Sequence, residues 1–295
     1  MNIVFSINYL GLEGLGATLS SLVQNCSNSK ELILWFFCSD LDLKHKLNIK
    51  QLLKNEHFKG DIKMVDFDAK TKFGYMKSLH GDYTTYGRLL IPELIEDDVA
   101  LYLDSDLVVE VDVLDLKNID FHDHILAAAS ATQVKDQLEG AFFIDKLNWH
   151  PETNYFNAGV LLLNLKKWRL DNVADRWKQI SFQYPNEFIS ADQTLLNVLC
   201  NGKFMQLPNY YNNAWFPGVN DKEIDVKSSI IHFVGSPKPW DLLGKHLHKG
   251  FPKWLDYNTP FWSGHYETLG VDKLKRSWKI RRSLLKHLIN KYFIN

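Results

Sequence analysis

The sequence predicts an α/β fold, a mainly parallel mixed sheet held between helices. Two observations carry this expectation. Short apolar runs alternate with longer segments whose apolar residues recur at helical spacing, the order expected when helices connect parallel strands. The runs themselves are continuously apolar, as strands covered on both faces are. At 295 residues, the chain is long enough for one such domain with a large core.

The elements follow in order. Residues 3–7 read as a buried strand, 15–26 as an amphipathic helix and 32–38 as the next strand, bounded by Ser39 and Asp40. Residues 43–58 are helix-like and 62–67 strand-like, which completes a β-α-β-α-β opening. Residues 85–95 form a short helix that Pro92 confines or kinks. Residues 99–103 are a strand running straight into Asp104-Ser105-Asp106. Further strands fall at 125–129, 158–165, 204–207 and 230–234, and a helix carrying Trp168 and Trp177 covers 166–182. There is no internal repeat and no linker before about Asn258, so one domain (1–262) is expected with an appended tail (263–295).

Composition narrows the class. The formal net charge is -1, so the whole molecule has no bulk attraction to nucleic acid. The charge is unevenly placed: from Asp272 onward there are eight Lys or Arg against one Asp, leaving 26 basic and 34 acidic residues elsewhere. Cys26, Cys38 and Cys200 have no metal-ligand or disulfide-framework spacing, and two lie in apolar runs, which suits reduced thiols. The start lacks a basic segment followed by an apolar one, and no apolar stretch reaches the roughly 20 residues of a spanning helix. The expectation is a cytoplasmic protein.

Five segments carry possible chemistry. Asp104 and Asp106 flank Ser105 at the carboxyl end of a buried strand, where open α/β sheets bind ligands. Two carboxylates there can share one divalent cation and steady a diphosphate. The pairs Asp40/Asp42 and Asp66/Asp68 have the same spacing, but no five-residue apolar run leads directly into them, and they read as loop or cap positions. His232 leaves an apolar strand and precedes Gly235 and Lys238: a metal ligand with a diphosphate loop, or a core histidine before a proline turn. Asn157-Ala158-Gly159 places an amide beside two small residues, which suits a ligand or a bulge. Asp192-Gln193 opens a helix, where Asp192 is a functional carboxylate or an N-cap. Arg88, in Thr85-Tyr86-Gly87-Arg88-Leu89, binds phosphate or pairs with a carboxylate.

Taken in order, these segments resemble glycosyltransferase family 8, which includes bacterial lipooligosaccharide α-galactosyltransferases and glycogenin. The resemblance rests on Asp104-Ser105-Asp106, Phe156-Asn157-Ala158-Gly159 with Leu165-Lys166-Lys167-Trp168, Asp192-Gln193, and His232-Phe233-Val234-Gly235-Ser236-Pro237-Lys238-Pro239-Trp240. It implies a GT-A fold and a retaining, Mn²⁺-dependent (or Mg²⁺-dependent) transfer of hexose from a UDP-sugar to a glycan or lipid-linked oligosaccharide. It matches Asp104, Asp106 and His232 to metal ligands, and Gly235 and Lys238 to diphosphate contacts. Arg88, Ser105, Asn157, Ala158, Asp192 and Gln193 fall around the donor, with Asp192, Gln193 and Lys238 as the catalytic group. Two positions depart from the family pattern. Asn8 stands where an Asp commonly contacts uracil, and the segment Ala129-Ser130-Ala131-Thr132-Gln133 lacks the acid that the galactosyltransferases have near Thr132.

The tail places Leu274, Trp278, Leu285, Leu288, Ile289 and Tyr292 near one helical face, with Lys275, Arg276, Lys279, Arg282 and Lys286 mostly elsewhere. Such a helix suits peripheral contact with the anionic inner face of a membrane, or docks on the domain. The competing functional classes are a haloacid-dehalogenase-type phosphatase, which usually has its Asp-X-Asp on the first strand, and a catalytically silent glycan-binding protein.

Overall fold

The computed structural model describes residues 1–130, 132–218, 228–267 and 270–293. Ala131 and tail residues 268–269 and 294–295, which the readings above touch, lie outside them.

The first half alternates as its pattern requires: β1 (Asn2–Ile7), α1 (Leu12–Gln24), β2 (Ile33–Cys38), α2 (Leu43–Asn55), β3 (Asp61–Asp66) and the short α3 (Ala69–Phe73). Asp42 and Asp68 accept the main-chain N–H groups of His45 and Thr71 and so cap α2 and α3, the roles expected of those two Asp pairs. A 3₁₀ segment (Thr84–Leu90) leads into α4 (Ile91–Leu94), where Pro92 sits in the first turn. Then come β4 (Val99–Leu103), β5 (Leu107–Val109), β6 (Leu126–Ala129), and the two-residue strands β7 (Thr132–Gln133) and β8 (Asn154–Tyr155). The helix expected at 166–182 is two helices after β9 (Val160–Asn164): α5 (Leu165–Leu170) and α6 (Val173–Gln183). Asn172, at φ 48, turns the chain between them.

The remaining elements are α7 (Asp192–Cys200), β10 (Met205–Leu207), β11 (Asn213–Trp215), β12 (Ile230–Phe233), α8 (Gly244–Leu247), α9 (Phe251–Tyr257), α10 (Pro260–Tyr266), α11 (Val271–Lys279) and α12 (Arg281–Phe293).

Seven strands form the main sheet in the order β10-β6-β9-β4-β1-β2-β3. All pairings are parallel except those of β9, which runs antiparallel to both β4 and β6. The sheet is therefore mixed and mainly parallel. Its two faces bury separate cores. Ile3, Phe5, Ile7, Leu34 and Phe36 point toward α1, α2 and α10. Val4, Trp35, Phe37, Tyr102 and Leu161 point toward α5, α6 and α7. Each buried aliphatic or aromatic side chain contributes about 1.5–3 kcal/mol, so these layers fix the strand register on which the site depends. The boundary expected at 262 falls inside α10, whose Trp262 is fully buried and donates its indole N–H to Leu12 O at 2.7 Å.

A second, three-stranded sheet, β11-β12-β5, stands beside the first. The chain leaves β4 at Asp104 and enters β5 at Leu107, so the Asp-Ser-Asp turn joins the two sheets.

Candidate active site

The junction of the two sheets brings together residues far apart in sequence. β5 and β12 pair antiparallel with Leu107 opposite His232, and Phe233 N–H donates to Asp106 O at 3.0 Å. That ladder carries His232 to the Asp104–Asp106 turn. On the other side, Asp104 N–H donates to Gly159 O at 2.8 Å, just before β9 begins. A Cβ at position 159 would stand 2.3 Å from His232 Cε1 and 3.0 Å from Asp104 Oδ2. Only glycine leaves room for the imidazole and the carboxylate together.

Asp104, Asp106 and His232 each offer a ligand atom, all within 4.8 Å of one another, and can hold a metal ion. His232 Nε2 lies 3.3 Å from Asp106 Oδ1 and 3.9 Å from Asp104 Oδ2. The other ring nitrogen, Nδ1, is 2.9 Å from Asn212 Oδ1. Asn212 Nδ2 donates to Asn157 Oδ1 at 3.1 Å, so the Asn212 oxygen faces the ring and Nδ1 carries the proton. This assignment rests on the hydrogen-bond network. It leaves the Nε2 lone pair directed at the carboxylates, the tautomer a metal ligand needs.

Lys238 completes the cluster. Its ammonium donates to Asp106 Oδ2 at 2.6 Å and to Phe233 O. Burial alone would raise the Asp106 carboxyl, but the Lys238 ammonium opposes it and holds it well below the usual carboxylate range. Asp106 Oδ1 is buried with no hydrogen-bond partner among the described residues. A buried anionic oxygen without a partner is costly unless a cation meets it. Gly235, at φ +81, turns the chain between His232 and Lys238.

Beneath the two aspartates lies Arg88, almost fully buried. Its guanidinium pairs with Asp104 Oδ1 at 2.9 Å and Asp192 Oδ2 at 2.8 Å, and also donates to Ala158 O. Tyr102, which the sequence reading did not single out, donates to Asp104 Oδ1 at 2.8 Å and stacks under the guanidinium. Arg88 thus answers the question its sequence left open: it pairs with carboxylates. Asp192 is the first residue of α7 and no N-cap, since Ala191 occupies that position. Burial raises its carboxyl to about 6 although Arg88 and the Thr85 hydroxyl oppose the shift.

Gln193 follows on the same helix. Its Oε1 accepts from Asn157 Nδ2 at 3.0 Å and Ala158 N–H at 3.1 Å. The structure therefore joins Arg88, Asp104, Asp106, Asn157, Ala158, Asp192, Gln193, His232 and Lys238 in one connected group. Ser105 stays at its edge: its carbonyl accepts from Thr18 Oγ1 at 3.0 Å, and α1 passes so close that a Cβ at Gly14 would meet that oxygen at 2.5 Å. Asn8 is engaged locally. Its oxygen accepts from Leu10 and Gly11 N–H, and its nitrogen donates to Asp82 Oδ2 at 2.8 Å. The residues not singled out from the sequence are Tyr102, Thr85, Asn212, Glu139 and Asp241; Thr85, Tyr102 and Asp241 stand in or beside the motifs, Asn212 and Glu139 away from them. Spacing carries no signal for such partners.

A family model described as Glycosyl transferase family 8 matches residues 2–244. The chain belongs to glycosyltransferase family 8. Membership removes the phosphatase reading. Within family 8, the chain is similar to Glycosyltransferase GlyA of Streptococcus pneumoniae serotype 4 (28% identical over 280 residues, 93% of this chain and 37% of that protein). It is also similar to Glycosyltransferase GlyE of the same organism (25% over 274 residues, 88% of this chain and 61% of that protein). The chain thus spans only 37% and 61% of the length of these two relatives. Among solved structures it is similar to the galactosyltransferase LgtC in complex with donor and acceptor sugar analogues. That likeness has a TM-score of 0.70 at 23% identity and covers 94% of this chain and all of that one. It shows the GT-A fold for this family 8 chain.

Proposed function

We propose that this chain transfers a hexose, galactose before glucose, from a UDP-sugar to a glycan acceptor such as lipooligosaccharide, with retention at the anomeric carbon. The observation that carries the reading is the buried triad of Asp104, Asp106 and His232 with Lys238 at its side. Two carboxylates and one neutral imidazole form a donor set that suits Mn²⁺, with Mg²⁺ as the alternative. The partnerless Asp106 Oδ1 fits a cation at that position. When bound, the metal would offset the charge that builds on the departing diphosphate.

The chain's own groups do the rest. The Lys238 ammonium brings a second positive charge to the same place, and Gly235 lets the main chain approach the phosphates. Arg88 holds Asp104 and Asp192 apart in one geometry, so the carboxylates do not move as charge develops. Asn157, Ala158, Asp192 and Gln193 line the side where the sugar would lie, with Ser105 and Asn8 toward the nucleoside. Support for galactose comes from the LgtC likeness, since that protein is described as a galactosyltransferase in complex with donor and acceptor sugar analogues. For the acceptor side, the aromatic side chains of Tyr210 and Phe216 are exposed, while those of Tyr211, Trp215 and Trp240 are buried. Exposed rings can stack on sugars.

The reading divides the chain into a catalytic body (1–262) and a basic tail (263–295). Exposed Trp278, Leu285, Ile289 and Tyr292 lie among basic residues, which supports peripheral contact with an anionic membrane from the cytoplasmic side. No helix among the described residues is long and apolar enough to cross a membrane.

The test is release of UDP from UDP-galactose and UDP-glucose, with Mn²⁺ and with chelator. Metal-dependent release from one donor is expected, and Asp106→Asn should lower it at least about 100-fold. UDP binding without release from either donor, with or without a glycan acceptor, would point instead to a silent glycan-binding protein.

A further inference from the structure

The helices α11 and α12 dock on the loop that carries Lys238. Arg276 of α11 grips the Asp241 carboxylate with two nitrogens, Nη2 to Oδ2 at 2.8 Å and Nε to Oδ1. The Asp241 side chain is only 2% exposed. The same Oδ2 accepts the main-chain N–H of Lys238 at 2.7 Å. Lys273 donates to Trp240 O at 3.1 Å and pairs with Glu13 of α1 at 3.0 Å. Ser283 of α12 donates to Ser236 O. Leu284, outside the apolar face the sequence suggested, is the buried aliphatic of α12. His287 lies over Gly218, where a Cβ would meet its Nδ1 at 2.4 Å.

The contacts of Arg276, Lys273 and Ser283 with Asp241, Trp240 and Ser236 converge on a segment that has no helix or strand between β12 and α8. Such a segment takes its shape from side chains. A buried carboxylate that receives a fork of guanidinium N–H groups and a main-chain N–H is held in both position and direction. Without the guanidinium, Asp241 becomes a buried charge with one hydrogen bond, and the strongest relief is for the loop to open to water. Lys238 moves with it, because its own N–H is tied to the same oxygen.

We propose that Arg276 and Asp241 are positioning residues, through which the docked tail sets the Lys238 ammonium for the diphosphate of the donor. The inference rests on the UDP-sugar reading of the site. It gives the basic tail a role inside the protein: the inner side of α11 fastens the phosphate loop.

The experiment is calorimetric titration of the full chain, at saturating Mn²⁺, with UDP and with UMP. Lys238 answers chiefly to the second phosphate, so a displaced loop discriminates between the two. Arg276→Gln should weaken UDP about tenfold and UMP less than about twofold. Arg276→Lys should recover part of the loss, since it keeps the charge and loses the fork. Asp241→Asn should weaken UDP to a similar extent, and Lys279→Gln, on the exposed side of α11, should change neither. Equal weakening of UDP and UMP would mean a general disturbance of the site and would overturn the proposal. So would a parent that binds UDP while Arg276→Gln binds it equally well. A parent that binds neither nucleotide would overturn the UDP-sugar reading, and the clasp with it.

Discussion

The main-chain N–H of Ala158 lies 3.1 Å from Gln193, and an N–H can only donate, so the atom facing it is the carbonyl oxygen. Asn157 donates to the same oxygen, and both of its lone pairs are then engaged. That oxygen is poorly placed to attack a sugar. Gln193 Nε2 points the other way, to Tyr155 Oη at 3.3 Å, and Tyr155 gives its own proton to Glu139 Oε1 at 2.6 Å. Glu139 is buried and also receives the hydroxyls of Thr194 and Ser190. Burial, and then the Glu139 charge, push the Tyr155 phenol well above its usual range, so it stays a donor to the carboxylate. Glu139 therefore sets the direction of an amide it does not touch. Glu139→Gln should lower the turnover number about tenfold while UDP affinity stays within about twofold, because misdirected groups near the sugar cost rate more than nucleotide binding. Steady-state kinetics beside a UDP titration reads the split. A parallel loss in both would assign Glu139 to folding alone.

At the scale of elements, β9 shows what a sequence can and cannot disclose. Its continuous apolar run and the Asn-Ala-Gly before it were legible, because burial on both sheet faces leaves that mark. So was β4, whose apolar run ends at Asp104. That β9 runs antiparallel was not legible, since residue pattern carries no strand direction. The break at Asn172 was hidden because the apolar residues on both sides keep helical spacing, and Trp168 and Trp177 pack into the same core across it. Asn212 and Glu139 were invisible because a polar residue in a loop looks alike whether solvated or buried. Gly159, the residue just before β9, offers a direct test. Gly159→Ala would put a methyl 2.3 Å from His232 Cε1 and 2.7 Å from its Nδ1, far inside the roughly 3.5 Å at which carbon atoms rest. The imidazole must rotate away from Asp104 and Asp106. Mn²⁺ affinity, read by the paramagnetic signal of the free ion, should fall about tenfold or more. Unchanged affinity would remove His232 from the ligand set.

At the scale of the whole molecule, two buried groups, His248 and Asp192, couple stability to pH with opposite effect. His248 is buried, sits edge-on to Phe233, and its Nδ1 accepts Gly250 N–H at 3.0 Å. Burial, aided by the Lys238 charge, lowers it from 6.5 to about 3. The unfolded chain takes up a proton near pH 6.5 that the folded chain refuses. Stability from His248 is therefore present above pH 6.5 and declines as pH falls toward about 3. Asp192 works in the other direction. Its carboxyl rises from 3.8 to about 6 in the fold, so its contribution is full below pH 3.8 and lost as pH rises through about 6. Between pH 4 and 6 the two offset each other. Urea unfolding across that window should show a shallow loss of stability on acidification. His248→Asn, which keeps an acceptor for Gly250 N–H, should flatten the loss further or reverse it. Asp192→Asn should steepen it, because the remaining His248 term then acts unopposed. If both variants kept the parent's slope, neither group would titrate differently in the folded and unfolded chains. The buried setting assigned to each would then be wrong.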